Sequence, residues 1–209
     1  MIDRLSWLGH AGFALDLPPL VVIDPYEIPK NWSRKADIVL VTHEHHDHLS
    51  TDDIAKVAGP KTVFVAPADC AGKLPGEVRS VAPGQSVTVA GVEIEAVPAY
   101  NTNKRFHPKA NGWVGYLVRH GGTTLYHAGD TDLIPEMDGI WCDVALLPVS
   151  GTYVMTAEEA ARALARIRPK IAVPMHYGRV AGGPPDAERF RSLTPPGVEV
   201  RVLVPVPVR

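Results

Sequence analysis

Cysteine is scarce in this chain. Only Cys70 and Cys142 occur among its 209 residues. They lie far apart and in no zinc-ribbon or redox spacing, so no disulfide framework holds the fold. A pair of buried thiols in a reducing cytoplasm is the expected reading. Charge of one sign is lacking as well: 21 Lys and Arg stand against 23 Asp and Glu, for a net charge of -2. No basic field marks a nucleic-acid or membrane partner, so neither is expected. No apolar run approaches the roughly 20 residues of a bilayer span. The opening "MIDRLSWLGHAGF" lacks a charged segment followed by a long apolar one, so it does not read as a signal peptide. There is no repeat, linker or low-complexity stretch. With 45% hydrophobic and 21% charged residues, the chain is expected to form one globular domain over residues 1–209.

Short β-rich runs bounded by Gly, Pro, Asn or Asp are what the chain has most of. They are "LSWLG", "FALDL", "LVVID", "ADIVLVTH", "KTVFVAP", "QSVTVAGVEIEAVPAY", "GWVGYLVRHGGTTLYHAGD", "CDVALLPVS", "KIAVPMHY" and "VEVRVLVPV". The glycines of "AGVE" and "HGGTT" predict hairpin turns. Helices are fewer. "STDDIAKVAG" opens on a Ser50 cap and is expected to close on its glycine. "TAEEAARALARIRP" carries a capping box, Thr156 with Glu159, and stops before Pro169. "PPDAERFRSL" begins with proline. Hairpins followed by strand–helix–strand units predict packed sheets with helices outside, an α+β arrangement.

Several strands end in residues able to bind metal: Asp24 after "LVVI", His43 after "IVLVT", Asp130 after "TLYHAG" and His176 after "IAVPM". The densest stretch is "THEHHDHLS", Thr42 to Ser50. In its H-x-H-x-D-H pattern, a turn after a strand can aim His43 and His45 at one point, and Asp47 with His48 at a second. Neutral imidazoles and carboxylates suit zinc first, then manganese or iron. Two ions about 3.5–4 Å apart with a hydroxide between them supply a nucleophile at neutral pH.

This stretch resembles the signature of the metallo-β-lactamase superfamily, and further likenesses follow in order. "VVIDPY" resembles its first motif, where Asp24 is implied to support the metal loop without ligating. "YHAGDTD" resembles the fourth, with Asp130 implied to bridge two metals, and "VPMHYG" resembles the fifth, with His176 completing the second site. "WLGHAGF", "LPVSGTYVMTAEEA" and "PMHYG" are similar to the branch of ascorbate-6-phosphate lactonase-like and N-acylphosphatidylethanolamine phospholipase D-like proteins. The resemblance implies an αββα sandwich of two mixed sheets flanked by helices, with the site at one edge. It implies a metal-dependent hydrolase in which Asp47 both ligates and orients the nucleophile.

One motif departs from the pattern. Where the third motif would place a histidine, the chain reads "VPAYNTNKRFHPKANGW", with Tyr100 or Asn101 at the strand end and His107 further on. Three readings stay open: His107 swings in, Tyr100 or Asn101 substitutes, or the first metal site is weak. The expectation adopted is that His107 lies near the site for substrate binding or proton transfer, while His43 and His45 hold a weaker first metal.

His10 and Tyr177 are candidates to support the site or touch substrate, as are Tyr100, Asn101 and Lys104. Lys104 and Arg105 read more simply as solvated charges. His46 is expected to point away from the metals, and His120 to sit in a hairpin turn. His127 should face away from Asp130, and the four tryptophans should belong to the core. The expected substrate is a small ester, lactone, amide or phosphoester. A phosphodiesterase or nuclease, an iron-dependent redox protein of the same fold, and a metal binder without turnover are the alternatives. A homo-oligomer is compatible with everything above.

Overall fold

The computed structural model describes residues 1–207. Six strands form the first sheet: β1 (Leu5–Gly9), β2 (Gly12–Asp16), β3 (Leu20–Ile23), β4 (Ala36–Leu40), β5 (Ala58–Ala66) and β6 (Glu77–Ser80). Seven form the second: β7 (Ser86–Val89), β8 (Val92–Pro98), β9 (Val114–His120), β10 (Thr123–His127), β11 (Val144–Pro148), β12 (Ile171–Met175) and β13 (Glu199–Val200). Strands β1–β3 run antiparallel, and β3–β6 continue in parallel. The second sheet repeats the plan, with antiparallel β7–β10 followed by parallel β10–β13.

Residue alternation explains the layers. On β3 and β4, Val21, Ile23, Ile38 and Leu40 face the second sheet, while Val22 and Val39 face outward against α1 (Thr51–Val57) and α2 (Ala68–Ala71). A strand buried on both faces must be apolar, as β3 is throughout and β4 is from Ile38 onward, past the exposed Asp37. Outside the second sheet lie α3 (Ala157–Ile167) and α4 (Pro184–Leu193), which bury Ala160, Leu164, Ile167, Ala187 and Phe190. Four layers result, helix–sheet–sheet–helix. Across the sheets, the buried Tyr116 hydroxyl lies 2.7 Å from the Val41 carbonyl and 3.1 Å from that of Val65.

Both expected caps form. Asp53 N–H donates to Ser50 Oγ, and Thr156 and Glu159 exchange both hydrogen bonds of a capping box, a device that stabilises a helix start by about 1 kcal/mol. The "AGVE" and "HGGTT" turns carry positive φ at Ala90, Gly91, Gly121 and Gly122, as type I′ hairpin turns require.

Three details differ from expectation. Helix α1 does not close on Gly59, because Ala58 is already extended and opens β5. Strand β6, "EVRS", is an exposed edge strand without apolar alternation, which left no period to detect. The last run pairs only at Glu199–Val200, since Pro205 and Pro207 offer no N–H to a ladder; Val206 N–H instead donates to the Trp7 carbonyl on β1. Among the described residues, no helix is long and apolar enough to cross a membrane.

Candidate metal centre

The carboxyl ends of β3, β4, β8, β10 and β12 reach the same edge of the two sheets. Chain leaving them carries Asp24, the His43–His48 loop, the Asn101–His107 loop, Asp130 and His176. Open sheets commonly build sites on this rim. Three residues here hold left-handed backbone, His10, Asp24 and His176, at φ 51°, 43° and 58°. Such conformations cost free energy and persist where surrounding structure over-determines them. Gly129 has φ +64°, and a Cβ there would lie 2.6 Å from the Val114 carbonyl oxygen. Only glycine lets β10 pass so close and then present Asp130.

Two groups of donors meet around Asp130. In the first, His43, His45 and His107 place ligand atoms within 4.8 Å of one another. His43 Nε2 is 3.0 Å from His45 Nδ1, and His107 Nε2 is 3.2 Å from Asp130 Oδ2. In the second, Asp47, His48 and His176 converge together with His10. His176 Nε2 is 3.0 Å from the same Asp130 Oδ2, whereas His48 Nε2 is 3.3 Å from Oδ1. Asp130 therefore stands between the groups and faces both.

Four of the converging imidazoles are set from behind. His48 Nδ1–H donates to Asp24 Oδ2 at 2.8 Å. Thr42 donates its hydroxyl to the same oxygen at 2.7 Å, so that hydroxyl can only accept from His43 Nδ1–H, 3.0 Å away. His107 Nδ1 faces Asn101 Oδ1 at 3.1 Å, and His176 Nδ1 faces Ser150 Oγ at 3.1 Å. With the outer nitrogen acting as donor, the inner nitrogen of each ring is left with a lone pair aimed into the site. His48 Nε2, His107 Nε2 and Asp130 Oδ1 are buried and have no hydrogen-bond partner within the protein. Buried polar atoms without partners are costly, and these three face one another around Asp130. The residues fit a divalent cation.

Electrostatics agree. Burial pushes His43 well below the ordinary histidine pKa, and His48 adds to this; burial likewise lowers His45. Neutral imidazoles are the form that binds a metal. Burial opposes charge on Asp130, but the surrounding His176 and His48 hold it well below the carboxylate range. Burial also disfavours a charged His48, yet Asp130 and Asp24 outweigh it and raise its pKa well above the ordinary value.

The expected residues fall into place unevenly. His107 was expected near the rim as a substrate or proton-transfer group. The structure places it, buried, inside the three-imidazole group, with Asn101 behind it. Asn101 N–H donates to the His107 carbonyl, and His107 N–H returns to Asn101 Oδ1, which closes the loop. Asp132, fully buried, staples that loop by accepting from Asn101 Nδ2, Thr102 N–H and Lys104 Nζ. Lys104 is thereby tied down rather than offered to substrate. Tyr100 turns away, its hydroxyl donating to Glu136 at 2.8 Å. Tyr177 is buried against Trp7 with ring centroids 4.9 Å apart, not against the cluster. His10 lies in the β1–β2 turn and donates Nε2–H to Asp47 Oδ2 at 2.9 Å, so it supports the site directly. His46 stays outside both donor groups, as expected, and its exposed side chain lines the mouth of the cleft. His127 is satisfied by the Ala11 carbonyl and Gly129 N–H, a purely structural arrangement.

Sequence reasoning missed Thr42, Ser150, Asp132 and Trp113. Trp113 belongs to the site as well as the core: its ring lies 4.9 Å from His43 and 4.8 Å from His45, with its N–H anchored on Asp69 at 2.7 Å. Only Asp132, an extra acid in "GDTD", left a signal that could have been followed.

The sequence matches the beta-lactamase superfamily domain over residues 4–176. A UPF0173 metal-dependent hydrolase of Pyrococcus abyssi is 34% identical, covering 97% of this chain and 96% of its own length. A crystal structure from Parabacteroides distasonis, described as a metal-dependent hydrolase, is 34% identical with a TM-score of 0.84, covering 95% of this chain and 91% of that one. Igni18, a metallo hydrolase of Ignicoccus hospitalis, is 26% identical with a TM-score of 0.76, covering 97% and 95%. The chain belongs to the metallo-β-lactamase superfamily, within the UPF0173 family of metal-dependent hydrolases.

Proposed function

We propose that the two groups of donors hold two divalent ions, His43, His45 and His107 one, and Asp47, His48 and His176 the other, with Asp130 between them. The observation that carries this is Asp130 itself, whose Oδ2 faces both His107 and His176 while Oδ1 faces His48. Zinc is the ion this imidazole-rich set favours, with manganese or iron sharing its ligand preferences. Bound there, the ions would supply an acidified water and a Lewis acid for the carbonyl or phosphoryl oxygen.

The substrate class is a small ester, lactone, amide or phosphoester. In its hydrolysis the water oxygen bonds to the carbonyl carbon or phosphorus, the bond to the leaving oxygen or nitrogen breaks, and the water's proton ends on that leaving atom. Asp47 orients the water. It is buried beside the cleft, and His10 fixes its rotation by engaging Oδ2. Burial lowers the pKa of His10 to about 4 even against that hydrogen bond, so it acts here as a neutral donor. The two cysteines are free and buried, which supports a reducing compartment for the protein.

Metal analysis paired with a screen over lactones, phosphodiesters and phosphonates tests this reading. Two equivalents of metal and turnover of at least one substrate are expected. A protein that binds a single ion, or that is coloured, iron-loaded and hydrolytically silent, would remove it.

A further inference from the structure

The mouth of the metal cleft is walled by apolar side chains. Phe106, Tyr153 and Val180 line it above a floor that includes His107 and Asp130. Only four large hydrophobic residues are exposed among the described residues, Phe106, Trp141, Val180 and Val204, and two of them stand at this one opening. Phe106 is 39% exposed and Val180 37%. Phe106 is also the only large apolar residue in "NTNKRFHPKAN", so no local core explains it. Its ring is held edge-on by Tyr153 at 4.7 Å and 89°. An aromatic braced in place yet left in water is what a binding wall looks like before its ligand arrives.

Two cations next to the wall in sequence, Lys104 and Arg179, are already committed. Lys104 Nζ lies 2.6 Å from Asp132, and Arg179 donates to the Tyr26 carbonyl and pairs with Glu27, each at 3.1 Å. Arg105 is exposed on the same loop as Phe106 but is not part of the cleft wall. Among the described residues lining the cleft there is no Lys or Arg. A phosphate ester would thus meet no guanidinium or ammonium group on the cleft wall, and its oxygens away from the ions would face Phe106, Tyr153 and Val180. Desolvating those oxygens without partners costs more than contact with the wall returns.

Resting on the two-ion hydrolytic reading, we propose that the cleft takes an uncharged carbonyl substrate, an ester, lactone or amide, whose acyl side chain is apolar and about the size of a benzyl group. The cleft offers about 160 Å³, on the scale of an apolar cavity of about 150 Å³ that accommodates benzene. Phe106, Tyr153 and Val180 pack on that group and set the preference, while hydrolysis follows the bond changes given above.

The metal-loaded protein is assayed with 4-nitrophenyl acetate, butyrate and phenylacetate, and with 4-nitrophenyl phosphate and bis(4-nitrophenyl) phosphate. The expected kcat/KM rises about tenfold or more from acetate to phenylacetate, the scale of a few methylenes in an apolar pocket. Both phosphate esters are expected to be slower than acetate. Phe106→Ala should flatten the acyl series with metal content unchanged, and Phe106→Leu, which keeps an apolar wall, should restore most of it. A flat series in the unaltered protein, a series that survives Phe106→Ala, or a phosphate ester as the best substrate would each overturn the proposal. Saturation-transfer NMR with phenylacetamide and with inorganic phosphate separates binding from turnover. If no ester is turned over, yet phenylacetamide binds and Phe106→Ala abolishes that binding, the hydrolytic reading falls and the apolar wall stands. If esters turn over with a flat series and phenylacetamide does not bind, the wall falls and the hydrolytic reading stands.

Discussion

The His43, His45 and His107 group and the Asp47, His48 and His176 group share Asp130 but differ in everything else. The first is three imidazoles, with His43 and His45 pushed toward the neutral form by burial, closed on one side by the Trp113 ring. The second adds its own carboxylate, Asp47, and has Asp24 directly behind His48. A divalent cation therefore meets more negative charge at the second group, which should fill first and empty last. On this reading one rim would hold two positions of unequal affinity because their donor sets differ in charge.

The largest expected effect comes from removing what the two groups share. Asp130→Ala should strip both positions and abolish turnover, whereas His176→Ala should empty the second and also stop turnover. Metal stoichiometry by mass spectrometry checks this; full occupancy with full rate in either variant would show that these strand ends do not form the site.

His107→Ala separates the groups. It should lose one metal equivalent, from the three-imidazole position, and leave the other bound. Two equivalents retained, with only turnover reduced, would return His107 to a substrate or proton-transfer role.

Support residues should cost less. Asp24→Ala removes the acceptor behind His48 and, through Thr42, behind His43, so both positions should weaken about 10–100-fold. Thr42→Val should weaken only the three-imidazole position, and by less. Equilibrium titration distinguishes them, and equal effects of Thr42→Val on both positions would contradict the hydrogen-bond chain.

The smallest signal is a proton. Because Asp130 and Asp24 raise the His48 pKa well above its ordinary value against the effect of burial, the metal-free protein carries that proton at neutral pH. An ion taking His48 Nε2 must displace it, so affinity should rise with pH through the neutral range, and about one proton should be released per ion at the second group. Calorimetry in buffers of differing ionisation enthalpy measures this, and no release would place His48 outside the ligand set.

Much of this was legible from residue order. "THEHHDHLS" carries its ligands within six consecutive positions, so local geometry alone constrains them. The strand runs were readable because buried strands are apolar throughout and the hairpin glycines punctuate them. His107 was not readable in the same way. Its loop looks like solvated surface, and its burial depends on Asp132, which is distant in sequence and gathers the loop's amides and Lys104. The contact of Trp113 with the imidazoles was not readable for a related reason: a tryptophan in a core and one against imidazoles have the same sequence signature.

What the sequence determined by itself were the elements and the donors that sit at strand ends, because period-two burial and short-range turns are written in neighbouring residues. Only the tertiary structure decided which distant side chains fix the imidazole tautomers and which histidine completes the first group. Those hydrogen bonds join Asp24 to His48, Asn101 to His107 and Ser150 to His176. They exist because two separate sheets bring their strand ends to one rim, and no local pattern encodes that meeting.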